Sequence, residues 1–346
     1  MKKTGNKPIK KNRKESITET LINNSKKLVS ETIGTGKKIL TDTKSVLIDK
    51  ADVIIEAGKQ VAKFIVNTKA KIIDANSINK KREPVNIICI KYSNSYGPEY
   101  VNRLFNMVLT NINIPFRFYC FTDDSSGIDE RVIIKDIPVF KDSDGDVLSG
   151  FSTYNKDVGF CSDDLGGYEL RDKRVLVLDL DVIITDNIDD LFSCNNYPDE
   201  FIITKDFSKG QNNTRFGQAS CYSFRVGTLG YIKEYYENNM NLVHKKYKTS
   251  SQEFLSDMIM KKYGVLRFWP DSWVRSFKKH CLPNVFLRWI KKPKFPNGAK
   301  IIYFSGYPNP SDALVGRWAP VGQSVPFIKR IYKHVRPTKW IADYWK

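Results

Sequence analysis

The chain has 346 residues, enough for one large α/β domain and an appendage. Its formal charge is +18, and residues 1–82 hold 20 Lys and Arg against 8 Asp and Glu. No run approaches the ~18 apolar residues of a membrane span and no leader pattern opens the chain, while a total of 3 histidines excludes a His-rich metal site.

Residues 1–16 (MKKTGNKPIKKNRKES) are Lys-rich with almost no large apolar side chain, and are expected to be disordered. Over 17–83 apolar pairs such as Leu21-Ile22, Leu28-Val29, Ile39-Leu40, Val46-Leu47 and Val53-Ile54 recur between Lys, Thr, Asn and Asp. That spacing predicts a basic amphipathic helical arm. Two readings of it stay open: a packing or coiled-coil helix, and a Lys-lined helix lying on an anionic membrane surface. Nucleic acid is not expected as a partner, because the arm nearly lacks aromatics for base stacking.

A domain over 84–346 follows. VNIICI (85–90) reads as a buried strand, and KYSNSYG (91–97) as the loop leaving it. Pro98 opens a helix whose Val101, Leu104, Phe105, Val108 and Leu109 fall on one face. RFYCFT (117–122) is a second strand ending in Asp123-Asp124, and Val132-Ile133-Ile134 a short third; 140–172 reads as loop-rich. Then come RVLVLDLDVIIT (174–185), strands at 201–204 and 218–226, helices at 228–239 and 250–263, and a last strand at 300–304. Strands alternating with helices predict an α/β fold, a Rossmann-like and mostly parallel sheet with helices on both faces. The scattered cysteines (Cys89, Cys120, Cys161, Cys194, Cys221, Cys281) form no CxxC pair and read as buried thiols in a reducing, cytoplasmic setting.

The run at 174–185 poses the functional question, because Asp179 and Asp181 interrupt a strand that is otherwise apolar. Burying an unpaired carboxylate costs several kcal/mol. The strand must end at Asp179, or a cation must wait there. Residues i and i+2 point to one side of a strand, so the two carboxylates can share a divalent ion. Two other stretches lack the chemistry they hint at. GTGKK (34–38) misses the spacing of a phosphate loop, and DSDGD (142–146) misses the glycine position and closing glutamate of a calcium loop.

Five segments in order, KYSNSYGPEYVNRL (91–104), PFRFYCFTDD (115–124), RVLVLDLDVIITDNIDDLF (174–192), SSQEFLSDMI (250–259) and FSGYPNPSDAL (304–314), resemble the GT-A glycosyltransferases, distantly the glycogenin-like group and its bacterial and viral relatives. The resemblance covers about residues 85–346 and leaves out the arm. It implies a GT-A fold and transfer of a hexose-type sugar from a nucleotide-sugar to a saccharide or protein acceptor. It also implies a manganese or magnesium ion held by Asp179 and Asp181. Donor contacts are implied for Lys91, Tyr92, Tyr96, Arg103, Asp123, Asp124, Lys156, Gly306 and Asn309.

Gln252 and Glu253 match positions facing donor sugar and acceptor, the implied catalytic pair, although Ser251 stands where the family has an acid. Ser250 and Glu253 also read as a capping box, which would account for the glutamate without chemistry. Tyr303 and Ser305 stand where relatives place a third, histidine ligand. The alternatives are a nucleotidyltransferase acting on sugar phosphates and a non-catalytic adaptor with a degenerate fold.

Overall fold

The computed structural model describes residues 23, 26, 27, 30, 31, 83–92, 96–142, 145–148, 152–193 and 201–346. The chain divides into two units, Met1–Lys80 and Lys81–Lys346. Of the first, Asn23, Lys26, Lys27, Ser30 and Glu31 are helical and exposed, with Lys27 4.0 Å from Glu31 one turn on. The rest of the basic arm expected over 17–83, and the tail 1–16, lie outside the described residues, apart from Glu83.

In the second unit β1 (Val85–Lys91) leads to α1 (Pro98–Asn111), β2 (Phe116–Thr122), β3 (Ile133–Lys135) and α2 (Thr153–Asp157). Next come β4 (Arg174–Leu178), β5 (Ile183–Ile184), β6 (Ile202–Lys205), β7 (Gly217–Arg225), α3 (Gly230–Tyr247) and α4 (Ser251–Tyr263). Then follow β8 (Arg267–Phe268), β9 (Val274–Ser276), a π-helical turn Phe277–Cys281, β10 (Ile301–Tyr303) and α5 (Pro310–Val315), and the unit closes with the short helices α6 (Phe327–Arg330) and α7 (Ile341–Tyr344). The main sheet runs β3-β2-β1-β4-β7-β6-β8, with β7 antiparallel to both neighbours and the other pairs parallel. A smaller sheet has the order β5-β10-β9.

The expected helix-covered sheet is the one observed, and the alternation of side chains along β1 explains it. Ile87 and Cys89 join a core with Val101, Leu104 and Val108 of α1. Ile88 and Ile90 join the opposite core with Tyr154 of α2, Ile232 and Tyr236 of α3, and Phe254 and Leu255 of α4. Each such side chain contributes roughly 1.5–3 kcal/mol by leaving water. Cys89, Cys120, Cys161, Cys221 and Cys281 are buried free thiols, and Cys194 lies outside the described residues. Among the described residues no helix is long and apolar enough to cross a membrane.

The loop-rich stretch holds one short helix, α2, capped by Ser152 and Asn155 in a reciprocal capping box. Two expectations are corrected. The helix expected at 228–239 continues to Tyr247 through an irregular Asn239 (φ −137°, ψ 26°). Ser250 does occupy the N-cap of α4, but its side chain makes no cap bond, and the Glu253 carboxylate is paired with Lys209 at 2.7 Å, so neither half of the capping box forms.

The topology brings distant segments to one place. β4 ends at Leu178, and the Asp179 amide donates to the Ser220 carbonyl at 3.0 Å, so the start of β7 lies beside the aspartates. The chain then passes into β5, which pairs antiparallel with β10. The exit of β10 thereby carries Ser305 and Gly306 to the end of β4.

Candidate active site

A cleft of about 440 Å³ opens at the carboxyl end of β4. Of the residues expected to act, Tyr92, Tyr96, Lys156, Asp179, Asp181, Gln252 and Gly306 line it, joined by Asp157, Gln218, Ser220, Ser251 and Ser305. This is where an α/β sheet places its ligands.

Both alternatives posed by the aspartates are realised. The strand stops before Asp179, and a cation meets it: Lys156 Nζ lies 2.6 Å from Asp179 Oδ1, 3.2 Å from Asp157 Oδ1, and donates to the Ala219 carbonyl at 3.0 Å. Burial opposes the Lys156 charge, but Asp157 and Asp179 outweigh it and hold the ammonium above its ordinary value. Asp157 is buried and accepts from Ser251 Oγ at 2.6 Å, so burial pushes its carboxyl up despite Lys156. Ser251, which stands where the resemblance implies an acid, thus hydrogen-bonds to an acid on α2.

Asp181 is buried and accepts a hydrogen bond from the Tyr96 hydroxyl at 3.2 Å. Among the described residues it has no lysine or arginine partner. Burial, then the neighbouring Asp179 charge, pushes its carboxyl up to about 7. Burial and the same carboxylate push the Tyr96 phenol up, so it remains a donor. Tyr96 packs on Tyr100 (centroids 4.5 Å), and Tyr100 on Trp345 (5.4 Å).

Among the described residues no group of three or more His, Cys, Asp and Glu is gathered for a metal. The residues present nevertheless fit a hard divalent cation. Two carboxyl groups offer oxygen donors at i and i+2, and the buried Asp181 carboxyl, which the Asp179 charge disfavours as an anion, is partnered only by a neutral hydroxyl among the described residues. Magnesium and manganese complete such a shell with substrate phosphate and water.

The remaining expected residues lie outside the cleft lining. Lys91 is buried, with Nζ donating to the Asp124 carbonyl at 2.8 Å and 3.7 Å from its carboxylate. Asp123 and Asp124 are exposed, and Asp124 Oδ1 accepts from the Ser126 amide at 2.9 Å. Arg103 stacks 4.2 Å over the Trp345 ring and donates to its carbonyl at 3.1 Å, which fixes the aromatic ladder behind Tyr96. Glu253 is paired with Lys209, and Asn309 begins α5 without a side-chain cap bond. Asp257, the other acid on α4, is held by Arg215 (3.1 Å), Lys246 (3.2 Å) and Tyr247 (2.8 Å). Gln252 Oε1 accepts from the Ala219 amide at 3.3 Å. Gly306 has φ +59° with open space where a Cβ would be, which lets its backbone meet a ligand closely.

Two functional candidates carry no sequence signal of their own. Asp157 lies in a stretch without periodicity. Lys278, from the π-helical turn, donates through Nζ to the Ser305 carbonyl at the cleft. Burial, then Lys333, depresses its ammonium, against the pull of Asp181.

No family model matches the sequence, and no curated protein matches it. Solved structures similar to the chain include the galactosyltransferase LgtC in complex with donor and acceptor sugar analogs (13% identity, TM-score 0.45, covering 71% of this chain and 99% of that one). Others are the glycosyltransferase GlyE of Streptococcus pneumoniae (14%, TM-score 0.46, 72% and 60%) and mouse xyloside xylosyltransferase 1 (14%, TM-score 0.40, 64% and 97%). At such identities and TM-scores, function rests on the residues of the cleft.

Proposed function

We propose that the chain is a glycosyltransferase whose cleft holds a nucleotide-sugar donor, with the diphosphate at Asp179 and Asp181 through a manganese or magnesium ion. The observation that carries this reading is the buried Asp181 carboxylate, 3.2 Å from the Tyr96 hydroxyl and without a cationic side-chain partner among the described residues. When bound, the divalent ion would supply a Lewis acid for the charge growing on the leaving nucleoside diphosphate.

The chain's own groups divide the rest of the work. Lys156 fixes the Asp179 carboxylate, and Tyr96 orients Asp181. The aromatic faces of Tyr92 and Tyr96 suit a base or ribose. The Gly306 backbone, in the cleft wall, and the Lys278 ammonium, bonded to the neighbouring Ser305 carbonyl, would add donors for a negative leaving group. Gln252, anchored through its amide oxygen, presents its amide nitrogen to the sugar. The sugar then passes from phosphate oxygen to an acceptor hydroxyl through an oxocarbenium-like state, as in glycoside hydrolysis.

Incubation with a panel of nucleotide-sugars and manganese, followed by assay of free nucleoside diphosphate, tests the reading. Release from at least one donor is expected. Absence of release and of saccharide product across the panel overturns it.

A further inference from the structure

A second pocket, of about 490 Å³, is lined among others by Trp289, Trp318, Gln323, Arg330, Lys333 and His334. It adjoins the donor cleft. Lys278, bonded to the Ser305 carbonyl in the cleft wall, lies 5.9 Å from the centroid of the Trp318 ring. Gln323 donates at 3.5 Å to the hydroxyl of Tyr307, the residue after Gly306.

Three cations, Arg317, Arg330 and Lys333, line this pocket and no carboxylate does. They come from a stretch, residues 272–346, that holds 15 Lys and Arg against 2 Asp. Arg317 uses its guanidinium on buried Asp312 at 2.7 Å. Among the described residues Lys278, Arg288, Arg330 and Lys333 have no carboxylate partner. Three of them, Lys278, Lys333 and Arg288, also feel one another. The Lys278 ammonium is depressed first by burial, then by Lys333 and more weakly by Arg288. Arg288 stands 5.7 Å over the same Trp318 ring. Cations that meet backbone carbonyls but no carboxylate repel one another, and a bound anion would relieve that repulsion while forming charge-assisted hydrogen bonds. The half-buried Trp318 and the exposed Trp289, stacked on His334 at 3.8 Å, add broad apolar faces of the kind that pack against sugar rings.

We propose that this pocket is a second ligand site taking an anionic saccharide, a sugar ring bearing phosphate or carboxylate, with Arg330 and Lys333 meeting the charge and Trp318 meeting the ring. Beside the donor cleft such a ligand is the acceptor. Only that last step rests on the glycosyltransferase reading; affinity for an anionic sugar does not.

The test is direct binding by calorimetry on the whole chain. The probes are glucose, galactose and N-acetylglucosamine, their 6-phosphates, glucuronate, inorganic phosphate, nucleoside diphosphate with manganese, and phosphatidylglycerol vesicles. Wild type is compared with Lys333→Glu, Arg330→Ala/Lys333→Ala and Trp318→Ala, each first shown to melt cooperatively; Lys333→Gln replaces any variant that does not. At least one anionic sugar should bind tenfold or more tightly than its neutral counterpart and than inorganic phosphate. The charge variants should lose tenfold or more of that affinity and Trp318→Ala should weaken it, while binding of nucleoside diphosphate with manganese stays unchanged.

Equal affinity for charged and neutral sugars, or unaltered affinity in the variants, overturns the proposal. So does a result in which the charge variants lose only binding to phosphatidylglycerol vesicles, for then the face contacts lipid. If anionic sugars behave as stated but no nucleoside diphosphate binds, the pocket stands and the glycosyltransferase reading falls.

Discussion

Replacing Lys156 by methionine keeps the length of the side chain and removes its charge, stranding two carboxylates. The ammonium lies 2.6 Å from Asp179 and 3.2 Å from Asp157, whose side chain is 5% exposed. Asp157 Oδ1 has no hydrogen bond, so the Lys156 charge alone compensates that oxygen. Removing one partner of a buried pair costs about 3–5 kcal/mol. The Asp179 side chain is 23% exposed and recovers some hydration, which favours the lower end, about 3 kcal/mol. For a folded unit of this size each kcal/mol moves Tm by about 2–4 °C, so a fall of roughly 6–12 °C is expected. Thermal and urea melts in chelator are the assay, since a divalent ion at Asp179 would mask the loss. The double variant Lys156→Met/Asp157→Asn should recover most of the stability, because the more deeply buried stranded charge is gone. A fall under 2 °C, or a double variant no better than the single, refutes the reasoning.

Asp181→Asn should reduce transfer at least ~100-fold, equivalent to about 2.7 kcal/mol, with Tm at or above wild type because it swaps a buried carboxylate for a neutral amide. Activity within about threefold of wild type (~0.7 kcal/mol) counts against the cleft assignment. Chelation should abolish donor hydrolysis, and manganese or magnesium should restore it; undiminished turnover in EDTA would leave Asp179 a structural role. Asp257→Asn should cost about 1–2 kcal/mol in urea melts at neutral pH by losing charged hydrogen bonds, with turnover little changed because Asp257 lies outside the cleft lining. Burial raises the Asp257 carboxyl, but hydrogen bonds from Tyr247, Lys246 and Arg215 outweigh it and hold the carboxyl below its ordinary value. That stabilisation is present above the unfolded-state value and is lost as pH falls through the folded one, so the two melting curves should converge in acid.

The sequence made the sheet readable where strands are long and buried on both faces, as at 85–90, 117–122 and 174–178. Asp179 and Asp181 stood out because carboxylates cannot continue such a run. The partners of those carboxylates were less accessible. Lys156 was singled out by resemblance, but its contact with Asp179 spans 23 residues in sequence and sits on a helix of 5 residues, too short for periodicity to register. Asp157 meets Ser251 across 94 residues. Lys278 belongs to no motif and reaches the cleft because β9 and β10 pair. Glu253 read correctly as the third residue of a helical turn, yet its partner, Lys209, comes from another segment and defeats the local capping pattern. Lys91 shows the converse: a lysine at a strand end invites a phosphate, but burial and Asp124 already occupy it.

The central claim is that Asp179 and Asp181 form a cation-dependent diphosphate site. Titration calorimetry of nucleoside diphosphates into the protein, with manganese and with EDTA, tests it most directly, using wild type and Asp179→Asn. Binding that requires manganese and disappears in the variant is the predicted result. Binding of equal strength in EDTA, or an Asp179→Asn variant that binds as wild type does, would contradict it.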